Sequence, residues 1–321
     1  MNNLIPVPSE NKQSEILNLS FKAREYINNS KSDNTKKSYT SDWKDFTTYC
    51  QRIDVNPLPA SIHTIVNYIT ALADTAKVST ITRRATAISQ AHEAAGYPSP
   101  THSLPVRSVL KGIRKTKGTL QEGKSALLTE DIRAMVNTMP DNLKGTRDRS
   151  LLLLGFAGAF RRSEIVSLDI SDLTFSREGI TVLLRRSKTD QEGEGRKIGI
   201  PYGSNPDTCP VRALQDWKEA SGIISGPLFQ SINKGGRIIG NPLNDKEVAR
   251  IVKKAAEAAG LDPANYAGHS LRSGLATSAA MAGVEERIIM KQTGHKSVNM
   301  VRRYIQDGSL FRDNAAAKIG L

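Results

Sequence analysis

Six side chains in the later part of the chain are of the types that handle a phosphodiester. "HSLR" sets His269 and Arg272 on one face at the head of a small-residue helix, "HSLRSGLATSAAMAGV". "GHKS" supplies His295, and "RRYI" places Tyr304 nine residues further on. "AFRRSEIVSL" carries Arg161 where an apolar run from Leu151 to Phe160 ends, with Glu164 one helical turn later. "RRSKTD" holds Lys188 at the junction of a strand and a turn. A phosphodiester under attack spreads negative charge over its non-bridging oxygens, so fixed cationic donors stabilise the transition state. Two arginines suit this best, each a planar fork that stays charged. A tyrosine, with a pKa near ~10, is a weak nucleophile at neutral pH and needs a base and a positive field. His269 is the candidate base and His295 a candidate donor to the phosphate. The departing oxygen needs a proton, which Lys188 can deliver. No acidic cluster has the spacing to hold magnesium, so neither a metal nor any other cofactor is expected.

Each group also has an ordinary structural role available. His269 and Arg272 can cap a helix, Lys188 can be a solvated cation, and Tyr304 can pack in a core behind Met300. Arg185, Arg186, Arg196 and Lys197 compete with Lys188, and Arg162 with Arg161. Tyr39 and Tyr266 are alternative nucleophiles, although only Tyr304 follows a Gly-His element at this spacing.

The elements that must position these residues are mostly helical. At 321 residues the chain has room for two domains. Its start, "MNNLIPVPSENKQSE", lacks a basic region followed by an apolar run, and the Leu151–Phe160 run is too short to cross a bilayer. Cys50 and Cys209 have neither metal-ligand spacing nor a disulfide framework. A cytoplasmic protein without membrane association is expected. Lys and Arg number 45 against 32 Asp and Glu, a net charge of +13 that favours nucleic acid as partner.

Four amphipathic helices are read before residue 105: "SEILNLSFKAREYINNS", "NTKKSYTSDWKDFTTYCQR" with Asn34 as N-cap, "PASIHTIVNYITALAD", and "VSTITRRATAISQAHEAAG" closed by Gly96. In the second of these, Tyr39, Trp43, Phe46 and Cys50 form one stripe. Between Val106 and Lys124 lie six basic residues and one acid, with three glycines, which reads as an extended basic linker. Beyond it come helices, one hairpin in "GITVLLRRSKTDQEGEGRKIGIP", and helices again. The expected organisation is a tail over 1–16, a helical domain over 17–105, the linker over 106–124, and an α+β domain over 125–321 with a small antiparallel sheet.

The order Arg, Lys, His-x-x-Arg, His, Tyr resembles the active site of the tyrosine recombinases, the integrase family. "DNTKKSYTSDWKDFTTYC" and "KVSTITRRATAISQAHEAAGYPSP" look most like the Cre-type simple recombinases. His295 departs from Cre, which has a tryptophan there, and agrees with most other members. The resemblance implies a mainly α, two-domain DNA clamp with a helical core-binding half. It implies Arg161, Lys188, His269, Arg272 and His295 as the activating set, Tyr304 as nucleophile, and Glu164 as a carboxylate orienting its neighbours. It further implies strand cleavage and rejoining through a 3′-phosphotyrosine link, on double-stranded DNA with an inverted-repeat site. It also implies a homotetramer in the synaptic complex, a monomer or weak oligomer when free, and a bacterial, phage or plasmid context with nucleoid association. With only a short stretch ahead of the first helix, no arm-binding domain is expected. The apolar tail 308–321 is expected to dock on a neighbouring protomer, or to fold back on its own domain. Lys36, Lys37, Thr82, Arg83, Arg114 and Lys115 are candidates for contact with DNA. Two other classes fit part of the pattern: a type IB topoisomerase, which uses a similar residue set, and a non-catalytic DNA-binding regulator on the same fold.

Overall fold

The computed structural model describes residues 30–119, 123–187, 190, 194–309 and 319, without the side chains of 305–309. The expected tail over 1–16 and the first expected helix lie outside these residues. The chain divides into two compact units, Met1–Glu122 and Gly123–Leu321.

Among the described residues, the first unit packs four α-helices: α1 (Asp33–Arg52), α2 (Ile62–Thr75), α3 (Val78–Ala94) and α4 (Leu104–Lys117). Helix α1 starts before Asn34, the expected cap, because the Ser32 hydroxyl accepts the Thr35 amide at 3.3 Å. Trp43, Phe46 and Cys50 are buried as one stripe, while Tyr39 is half-buried. They meet Ile65, Tyr68 and Ile69 of α2 and Ile81 and Ile88 of α3.

Helix α4 corrects the sequence reading: 106–117 is not an extended linker. Val106, Val109, Leu110 and Ile113 recur at helical spacing and pack on the core of the first unit. The basic residues occupy the other face, with Arg107, Lys111, Arg114, Lys115 and Lys117 all exposed. Proline in the first turn starts the helix, and Gly118, at φ 71°, ends it.

In the second unit, α5 (Thr129–Asn137) and α6 (Leu143–Ala157) lead to the short α7 (Arg162–Val166). Strands β1 (Leu173–Phe175), β2 (Gly179–Leu184) and β3 (Arg196–Pro201) form an antiparallel sheet in that order. The expected hairpin is β2–β3, paired from Gly179↔Pro201 to Leu184↔Arg196. Helix α8 (Pro210–Ser221) follows, then a small ribbon of β4 (Gln230–Ile232) and β5 (Ile238–Pro242), then α9 (Asp245–Ala258). The last described elements are α10 (Ser270–Met281), α11 (Glu286–Thr293) and α12 (Val298–Ser309).

Leu151 to Leu154 of α6, Trp217 of α8 and Ile198 and Ile200 of β3 share one core. The segment ahead of α5 crosses α10 closely: the Leu127 amide donates to the Ser270 carbonyl at 3.1 Å. A Cβ at Gly274 would lie 1.9 Å from the Leu127 oxygen, so only glycine fits at the crossing. Among the described residues no helix is long and apolar enough to cross a membrane.

Candidate active site

Helix α6 delivers the first arginine. After Ala157 the chain leaves the helix through Gly158 and Ala159, the latter at φ 49°, and extends at Arg161. Arg161 is then the N-cap of α7. Its backbone N–H donates to Glu164 Oε2 at 2.9 Å, and its guanidinium pairs with Glu164 Oε1. Glu164 is only 3% exposed, so the carboxylate fixes Arg161 from beneath. Arg162 points elsewhere and pairs with Asp245 of α9 at 3.1 Å. That separates the two adjacent arginines as the motif spacing does.

Arg272, in the first turn of α10, is fully buried. It donates through Nη1 to the Ala159 carbonyl at 2.7 Å and through Nη2 to His295 Nε2 at 3.2 Å. The left-handed turn at Ala159 thus presents the oxygen that one arm of the fork requires. Burial, with the Arg161 charge beside it, lowers the Arg272 guanidinium to about 10. His295 is 6% exposed and touches Thr293 Oγ1 through Nδ1 at 2.7 Å. Burial first, then the charges of Arg272 and Arg161, lower its pKa to about 4, so the ring is neutral at pH 7.

His269 sits at the N-cap of α10, and its Nε2 lies 3.2 Å from the Tyr304 hydroxyl of α12. Desolvation and the Arg272 and Arg161 charges lower the His269 pKa, which leaves a neutral imidazole able to accept a proton. The Tyr304 ring also packs 5.7 Å, centroid to centroid, from His295. Of the alternative nucleophiles, Tyr39 belongs to the first unit, and burial raises the Tyr266 pKa. Lys188 lies outside the described residues.

Five of the six expected residues, with Glu164, therefore meet in one place. A Tyr–His pair faces two arginines with separate anchors. Sequence reading missed three supporting groups: Ala159, Thr293 and Arg196. Arg196, which opens β3, donates to the carbonyls of Gln292 at 3.0 Å and of Lys291 and Thr293 at 3.3 Å each. It lies against Gly294, where φ is 68° and a Cβ would come 2.7 Å from its Cζ. The left-handed backbone is what favours glycine in the Gly-His element. The basic hairpin was the one available signal for Arg196; its partners are distant in sequence.

In the first unit, Thr82, Arg83 and Arg114 line a cleft of about 800 Å³ with Lys77, Lys117 and Tyr39. Arg83 pairs there with the buried Asp42. Lys36, Lys37 and Lys115 are not among its lining residues. Among the described residues no three His, Cys, Asp or Glu side chains group as a metal site. Of the tail, Gly308 and Ser309 belong to α12, and Ile319 is exposed.

Residues 125–309 match the phage integrase family. An integrase/recombinase described as a xerD homolog, from Selenomonas ruminantium, is 48% identical over 301 residues, covering 92% of this chain and 88% of the relative. The cre recombinase of Escherichia phage P1 is 24% identical over 299 residues, 86% of this chain and 84% of its own. The Cre-like character is therefore present but weaker than the likeness to the xerD homolog. A lambda integrase tetramer bound to a Holliday junction aligns with a TM-score of 0.62 at 18% identity, over 94% of this chain and 79% of that one. XerH recombinase bound to a palindromic difH substrate aligns at 0.61 and 18%, over 80% and 72%.

Proposed function

The chain belongs to the phage integrase family and is a site-specific tyrosine recombinase, cleaving and rejoining DNA strands, and we propose that Tyr304 is its nucleophile. One observation carries this assignment: the Tyr304 hydroxyl lies 3.2 Å from a histidine held neutral beside two arginines. In the proposed step Tyr304 Oη attacks phosphorus while its proton passes to His269 Nε2. The bond from phosphorus to the 5′ oxygen breaks, leaving a 3′-phosphotyrosine and a free 5′ hydroxyl. Lys188 supplies the proton that hydroxyl gains. Arg161 and Arg272 stabilise the charge on the non-bridging oxygens, and Glu164 holds Arg161 for that task. Rejoining runs the same step backwards from a 5′ hydroxyl, so the link conserves the bond energy and no nucleotide is consumed.

The substrate is proposed to be double-stranded DNA carrying an inverted-repeat site, bound in the cytoplasm by both units. The net charge of +13 and the basic cleft of the first unit support this. A tetramer in the synaptic complex is supported by the lambda integrase tetramer on its junction. Docking of the 308–321 tail in trans belongs to the same proposal.

The test is covalent trapping on nicked duplex from the recombination site, mapped by footprinting the DNA that flanks the gene. Tyr304→Phe is expected to bind this duplex as the parent does and to form no adduct. A persisting adduct would refute the assignment.

A further inference from the structure

Thr293 closes α11, one residue before the Gly-His element, and is fully buried. Its hydroxyl oxygen lies 2.7 Å from the Ile289 carbonyl and 2.7 Å from His295 Nδ1. A threonine hydroxyl has one proton, and a carbonyl can only accept. The short contact to Ile289 therefore takes that proton, so the contact to His295 must use a proton on Nδ1. The other side of the ring leads independently to the same tautomer. Nε2 lies 3.2 Å from Arg272 Nη2, and a guanidinium can only donate. Nε2 must then carry its lone pair. Two contacts on opposite edges of the ring thus agree, and neither depends on the other.

We propose that Thr293 is a positioning residue that locks His295 in the tautomer with Nδ1 protonated, making His295 an acceptor that aims Arg272. The consequence for cleavage rests on the recombinase reading above. In this state His295 Nε2 accepts from Arg272 and fixes one arm of its fork, while the Ala159 carbonyl fixes the other. The buried guanidinium is then set before DNA arrives, and its ordering is not left to the chemical step. Hydroxyl chemistry, not bulk, is what the position requires, so Val and Ser substitutions separate the two.

The experiment reads the ring directly by long-range proton–nitrogen correlation on the full chain. His295 is assigned by the signal that disappears in His295→Asn. The wild-type ring is expected to carry its proton on Nδ1. Thr293→Val is expected to lose that lock and to form adduct on the nicked duplex about tenfold more slowly, as for a buried donor left without its acceptor. Binding to the duplex should be unchanged. Thr293→Ser should keep both the tautomer and the rate. A wild-type ring protonated on Nε2 would overturn the proposal even if the valine variant did not fold. So would a valine variant that cleaves like the parent, or a serine variant as slow as the valine. If the wild-type protein itself formed no adduct, the recombinase reading would fail, and the tautomer would still decide the role of Thr293.

Discussion

His295 is held neutral by burial and by two guanidinium charges, and this has a consequence for stability. Its pKa in the fold, about 4, lies below the ordinary 6.5. As pH falls from 6.5, the unfolded chain takes up the proton first, so the fold loses stability until about pH 4 and no further. For a ring this deeply buried the full effect is on the order of 3 kcal/mol. Asparagine can donate and accept at the same position without titrating. His295→Asn is therefore expected to flatten the pH dependence of the urea midpoint between pH 7 and 4.5. Trp217, in the core of the second unit, reports that transition once Trp43 is replaced by Phe. An unchanged slope would show that His295 is not the group responsible. His269 also titrates below its ordinary range, so adduct formation should rise with pH only at acidic values and be flat through neutrality.

Among the elements, the end of α11 is where the site depends most on a distant partner. Arg196 of β3 covers three carbonyls there with one charged fork. Arg196→Ala is expected to destabilise the second unit by at least about 2 kcal/mol in urea unfolding, since a single charged hydrogen bond is worth roughly that much. The same variant should slow adduct formation, because α11 ends at Thr293 and positions His295. Equal stability and rate would contradict the capping role. The hairpin itself was legible from its β-branched runs and polar turn, but Arg196 looked like one cation among several. Its partners lie 95 to 97 residues away, and no local pattern records them. Helix α4 was missed for a different reason. Its four core-packed apolar residues carry a helical period, yet five basic residues and Gly112 dominate the stretch. Burial against the first unit outweighs both charge and glycine there.

Over the whole molecule, residues from 161 to 304 converge through α6, α10, α11 and α12. Arg161, Glu164, His269, Arg272, His295 and Tyr304 were legible because phosphoryl chemistry demands their types and motif spacing fixes their order. Their anchors were not, since Ala159, Thr293 and Arg196 act through backbone turns and buried contacts that appear only on folding. In the proposed cleavage step the Tyr304 oxygen becomes bonded to DNA. Digestion of trapped adduct with trypsin and nuclease, followed by mass spectrometry, tests it most directly. The peptide "YIQDGSLFR", which begins at Tyr304, is expected to carry a nucleotide joined through its 3′ phosphate to the tyrosine oxygen. A nucleotide on any other side chain, or one joined through a 5′ phosphate, would contradict the account.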